Sequence, residues 1–133
     1  MNRLNKRGFT LVEIMIVVAI IALLAAIAIP NLLRAKMLAN DSLAKGTLRT
    51  LSTSSETYAT ASTNGQYPSN MTALTGSTPP YVQKDYCSGS PVISGFTYNC
   101  QFGTGGYTFT AWPVTPGSSG TTSVTISTGG ILK

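Results

Sequence analysis

The chain has 133 residues, room for one modest domain plus an anchoring segment, and a formal charge of +5. Three of its nine basic residues (Arg3, Lys6, Arg7) precede Gly8, so the high pI is an N-terminal effect and no basic face points to nucleic acid. It contains no histidine and two cysteines, which removes the usual general base and leaves no complete set of zinc ligands.

The first element is the run from Phe9 to Ile29, 21 residues that are nearly all apolar, preceded by a short basic stretch. As a helix it would span roughly 32 Å, close to the thickness of a bilayer core. A plain membrane anchor, a secretory signal cut near Ala26–Ala28, and a segment cut at Gly8 that keeps its apolar helix are the three readings. Glu13, the single charge in the run, separates them. A carboxylate one turn inside a membrane helix costs about 2.5 kcal/mol or more, so such residues tend to be functional and paired. An anchor or a signal gains nothing from it. Cleavage after Gly8 would create an α-amino group on Phe9, four residues from Glu13. That amine could pair within one helix or between staggered neighbours, and a satisfied ion pair in a low-dielectric bundle would favour one register. Glu13 thus reads as an assembly residue.

The stretch "KRGFTLVEIMIVVAIIALLAAIAIP" resembles the N-terminus of type IV pilins and their pseudopilin relatives, most of all the type IVa style, over roughly residues 3–34. The resemblance implies that residues 1–8 are a leader removed by a membrane aspartyl prepilin peptidase. It implies that Gly8 precedes the scissile bond and that Phe9 is N-methylated by the same enzyme. Glu13 would recruit and register each subunit in a filament. It further implies an inner-membrane single-pass precursor, an assembly ATPase and a platform protein as partners, and a surface filament as the product. No cofactor is implied. Many filament pilins have a glycine about two turns before the proline; Ala22 stands there in this chain.

Three basic residues precede the apolar run and two, Arg34 and Lys36, follow it closely, a weak positive-inside bias that puts the C-terminal part outside. Pro30 removes one backbone N–H and should kink the helix without ending it, because apolar spacing resumes at Leu33, Met37, Ala44, Leu48, Leu51 and Tyr58. Asn40, Asp41, Lys45, Arg49 and Glu56 fall largely off that stripe. The expected organisation is therefore a leader over 1–8, an apolar helix over 9–30, an amphipathic continuation over 31–61 and a globular head over 62–133.

The head begins with turn-rich sequence (Asn64-Gly65, Pro79-Pro80) in which Pro68–Leu74 can form a helical turn. Alternating patterns predict strands at Gly95–Phe102, Gly106–Pro113 and Thr121–Thr128, with a tight hairpin at 103–105. The fold class is α+β: one long helix packed on an antiparallel sheet of three or four strands. Cys87 and Cys100, with twelve residues between them, form a disulfide if the head is exported; two unrelated thiols are the alternative.

The absence of Asp and Glu after Asp85 bears on the choice within the family. Major pseudopilins of type II secretion bind calcium through acidic residues near the C-terminus, and this chain has none there. A pilus subunit is therefore the first reading; a secretion pseudopilin or a minor pilin is the alternative. A membrane-anchored adhesion module is the alternative of a different class. An enzyme is disfavoured, since the head has neither a carboxylate pair nor a histidine to activate its cysteines.

Overall fold

The structure is a computed structural model that describes residues 8–133. The leader expected over 1–8 lies, but for Gly8, outside them. Helix α1 runs from Leu11 to Ala61 and continues through Pro30, whose missing N–H leaves the Ala26 carbonyl without its intrahelical donor. A short α2 (Met71–Thr75) precedes four strands: β1 (Phe96–Gly103), β2 (Gly106–Pro113), β3 (Val124–Ser127) and β4 (Ile131–Leu132). The chain divides into two compact units within α1, between Arg34 and Ala35.

In the first unit α1 buries nothing against its own chain. Its large apolar side chains from Leu11 to Leu33 are each 52–75 % exposed. By length and composition, with a mean hydropathy of 3.0 over its most apolar 18-residue window, it can cross a membrane.

The second unit is the α+β head. Its antiparallel sheet has the order β1-β2-β3-β4, with Phe96 facing Pro113 and Gly103 facing Gly106 across the first hairpin. Side-chain alternation sends Phe96, Tyr98, Tyr107, Phe109, Ala111, Val124 and Ile126 inward, onto Ala44, Leu48 and Leu51 of α1. Met71, Leu74 and Val82 close the end of this core. The disulfide Cys87–Cys100, with Cα atoms 5.7 Å apart, ties the preceding loop to β1.

Three expectations are corrected. The buried stripe of α1 starts later than Leu33, which is exposed, and it includes Asp41, which is only 8 % exposed. The interval 37–41–44–48 is itself helical spacing, so Asp41 belongs to the stripe despite its charge. The third strand is shorter than expected because the Thr121 N–H and hydroxyl both bond Asp41, and ladder pairing begins only at Val124. The helical turn starts at Met71 and not Pro68, since Asn70 caps it by accepting from the Ala73 N–H at 2.9 Å.

Candidate assembly segment

Thr10-Leu11-Val12-Glu13 forms a capping box at the start of α1. The Thr10 N–H and hydroxyl each donate to Glu13 Oε2 at 2.8 Å, and the Glu13 N–H donates to Thr10 Oγ1 at 3.2 Å. Glu13 therefore has a local role that the ion-pair argument did not supply. It ends the helix cleanly one residue after Phe9 and sets a negative charge at the positive end of the helix dipole. The signal was readable, a Thr-x-x-Glu before an apolar run. Only Oε2 is used in this cap; among the described residues Oε1 has no partner. Phe9, Ile14, Ile16 and Val17 line an apolar groove beside the carboxylate.

The Gly8–Phe9 bond lies in non-helical chain just ahead of that cap, with Phe9 85 % exposed. A Cβ at Gly8 would meet nothing within 4 Å, so nothing in the described chain itself demands glycine there. The structure thus brings Gly8, Phe9 and Glu13 to one end of the apolar helix. Pro30 lies within the same helix, more than four turns away, and Cys87 and Cys100 belong to the head.

The head's polar anchors are the residues that sequence reasoning missed. Two side chains placed on the solvated face of the helix instead reach loops of the sheet. Asn40 Nδ2 donates to the Ser119 carbonyl at 2.8 Å, and Asp41 accepts from the Thr121 N–H at 3.0 Å and its hydroxyl at 2.6 Å. Gly120, between those two residues, is required by close approach: a Cβ there would run into the Phe96 ring and Asp41. Glu56 accepts from the Tyr67 hydroxyl at 2.9 Å, the Tyr107 hydroxyl at 2.8 Å and the Gly129 N–H at 2.9 Å. Since the Tyr107 proton goes to the carboxylate, Ser52 Oγ must donate to Tyr107 across their 2.6 Å contact. Partial burial pushes the Glu56 carboxyl up, but the bonds from Gly129, Tyr107 and Tyr67 together outweigh it and hold it below its ordinary value. Burial pushes the Tyr107 hydroxyl up to about 12, and the bond to Glu56 adds to the shift. Asp85 accepts from the N–H groups of Cys87 and Ser88, an Asx turn that positions the disulfide loop.

Residues 3–29 match the family model for the prokaryotic N-terminal methylation motif. By this segment the chain is similar to type IV pilins and to a type II secretion core protein. It is 47 % identical over 70 residues to a type IV wide pilus major component, PilA4, of Thermus thermophilus, covering 53 % of this chain and 52 % of that one. It is 52 % identical over 54 residues to a type IV major pilin, PilA, of Myxococcus xanthus, covering 41 % of this chain and 24 % of that one. It is also 35 % identical over 74 residues to a type II secretion system core protein G of Pseudomonas aeruginosa, covering 56 % of this chain and 51 % of that one. The chain thus spans about half, or less, of the length of each of these relatives. No solved structure shows a significant match.

Proposed function

We propose that the chain is a structural subunit of a type IV pilus filament and performs no catalysis of its own. One observation carries the proposal: an apolar helix that its own chain leaves wholly exposed, with a single carboxylate in the turn after Gly8-Phe9. Such a helix is stable only in lipid or among copies of itself. In this reading residues 1–8 are a leader, 9–30 the membrane and filament-core helix, 31–61 the part that docks on the sheet, and 62–133 the head. A prepilin peptidase cuts after Gly8 and methylates Phe9. The precursor waits in the inner membrane with its head outside the cytoplasm, and a platform protein and ATPase add it to a surface filament. Glu13 would keep Oε2 on its own helix cap and offer Oε1 to a Phe9 amine.

The decisive variants are Glu13→Ala and Glu13→Gln. Glutamine can keep the capping box and removes only the charge. Both variants should insert and be cleaved normally, while incorporation into filaments falls about a hundredfold or more, because an unpaired buried charge costs roughly 3–5 kcal/mol. Normal assembly of Glu13→Gln would remove the charge from the account and leave only the cap. The second reading, a secretion pseudopilin, is carried by the 35 % identity to core protein G. Deleting the gene distinguishes them: loss of pili with secretion intact supports the first, and the reverse supports the second.

A further inference from the structure

The outer face of the sheet is chemically unlike its inner face. Cross-strand register lines up Thr97 with Trp112, Asn99 with Thr110, and Gln101 with Thr108. The grid extends to β3 through the pairs Thr110–Thr125 and Thr108–Ser127. None of these positions carries a charge, although exposed sheet faces commonly use Lys and Glu. Thr110 and Thr125 bond each other at 3.1 Å, and Thr97 bonds the Trp112 carbonyl. Among the described residues, the side chains of Asn99, Gln101, Thr108 and Ser127 make no hydrogen bond to protein. The face is therefore an uncharged array of hydroxyl and amide groups, several of them free to bond something else.

One end of this array is apolar. Trp112, the single tryptophan of the chain, is 45 % exposed, and Val114, just past the end of β2, is 52 % exposed. On the β1 side the indole's cross-strand neighbour is the small Thr97, and beyond it the Val114 N–H pairs with the carbonyl of Gly95, which has no side chain. On its other side the indole has no strand neighbour, because β3 begins opposite Ala111. At the other end, Gln101, Thr108 and Thr128 line a shallow depression by the hairpin.

From this we infer that the outer sheet face binds an uncharged polysaccharide in an extended conformation, with Trp112 as the stacking platform and Asn99, Gln101 and Thr108 as hydrogen-bonding groups. Pyranose rings present a C–H-rich face and a rim of hydroxyls. That pairing matches an exposed indole beside donor–acceptor side chains, and it offers nothing to a charged partner. A protein partner would be expected to meet more than two apolar residues at the centre of a standard interface. The inference does not depend on filament assembly, since every residue it uses belongs to the head.

Trp112 makes the test direct, because all tryptophan emission comes from the proposed face. The full chain in lauryldimethylamine oxide micelles, a detergent without a sugar headgroup, is titrated with cellohexaose, chitohexaose and, as a charged control, oligoalginate. The neutral probes should shift the emission to the blue and protect it from acrylamide quenching. Oligoalginate should do neither. Asn99→Ala with Gln101→Ala should weaken binding about tenfold, as expected for two lost hydrogen bonds. Trp112→Ala should abolish retention on microcrystalline cellulose and on chitin while the circular dichroism of the head stays unchanged. Unchanged emission with both neutral probes would overturn the inference, as would equal binding of oligoalginate or unchanged affinity in the double variant. A blue shift produced by raising protein concentration alone would overturn it too, by assigning the face to a second copy of the chain.

Discussion

The two halves of α1 are made of the same helix but obey different physics. From Leu11 to Arg34 no side chain is buried against the chain, so this half contributes nothing to folding the head and is available for intermolecular contact. From Ala35 to Ala61 the helix buries Ala44, Leu48, Leu51, Ser55 and Ala59 and extends Asn40, Asp41 and Glu56 to the loops of the sheet. The difference shows that hydrophobicity alone does not say where a helix spends its apolar surface. The more apolar half is the one that its own fold leaves untouched.

Paired leucine truncations are the sharpest way to break that comparison. Leu51→Ala should destabilise the head by about 2–5 kcal/mol, the usual cost of emptying a buried leucine site. Leu24→Ala should change head stability by less than about 0.5 kcal/mol. Urea unfolding of the full chain in micelles, followed by near-UV circular dichroism, measures both. Equal effects would mean that the two halves are not energetically distinct.

Within the head, removing the disulfide by Cys87→Ser with Cys100→Ser should cost around 3 kcal/mol, as the chain-entropy model gives for a loop of this length. The same unfolding experiment with and without reductant checks it. Asp41→Asn should cost about 1–3 kcal/mol, since the part-buried bonds from the Thr121 N–H and hydroxyl lose the ionic acceptor on the buried Asp41. Lys45→Gln, on the exposed face of the same helix, should be close to neutral and serves as its control.

Glu56 adds a pH dependence with a defined sign. Its carboxyl is held below the ordinary glutamate value in the folded head, so its contribution is complete above about pH 4.3 and is lost as pH falls through the lower folded value. Glu56→Gln should flatten the stability profile in that acid range. Part of the slope should persist, because Asp85 is shifted the same way, first by its bonds to Ser88. A small effect of the opposite sign is expected at Gly46, a helical glycine on the exposed face whose Cβ would meet nothing within 4 Å. Gly46→Ala should stabilise the head by about 0.5–1 kcal/mol through helix propensity.

What the sequence made legible follows from which forces are local. Alternation in "FTYNCQF" and "YTFTAWP" placed two strands to within a residue at either end, because one face of each must be buried. The apolar run and its lone Glu13 were legible for the same reason: a misplaced charge is expensive wherever it sits. The anchors were not legible, because Asp41 and Glu56 are helical carboxylates that look solvated until loops 73–80 residues away come to meet them. The two-residue β4 also lay below what a pattern can show, since it exists only by pairing back on β3. The capping box is local too, since Thr10-x-x-Glu13 before an apolar run carries its own helix-start signal.

The central claim is that the exposed half of α1 is an assembly surface completed by cleavage at Gly8–Phe9. The intact mass and N-terminal sequence of the protein isolated from sheared surface filaments test it most directly. The account predicts a chain that begins at Phe9 and carries one added methyl group on its α-amine. A chain that retains Met1, or one that begins at Ile29 and so has lost the apolar helix and Glu13, would contradict it.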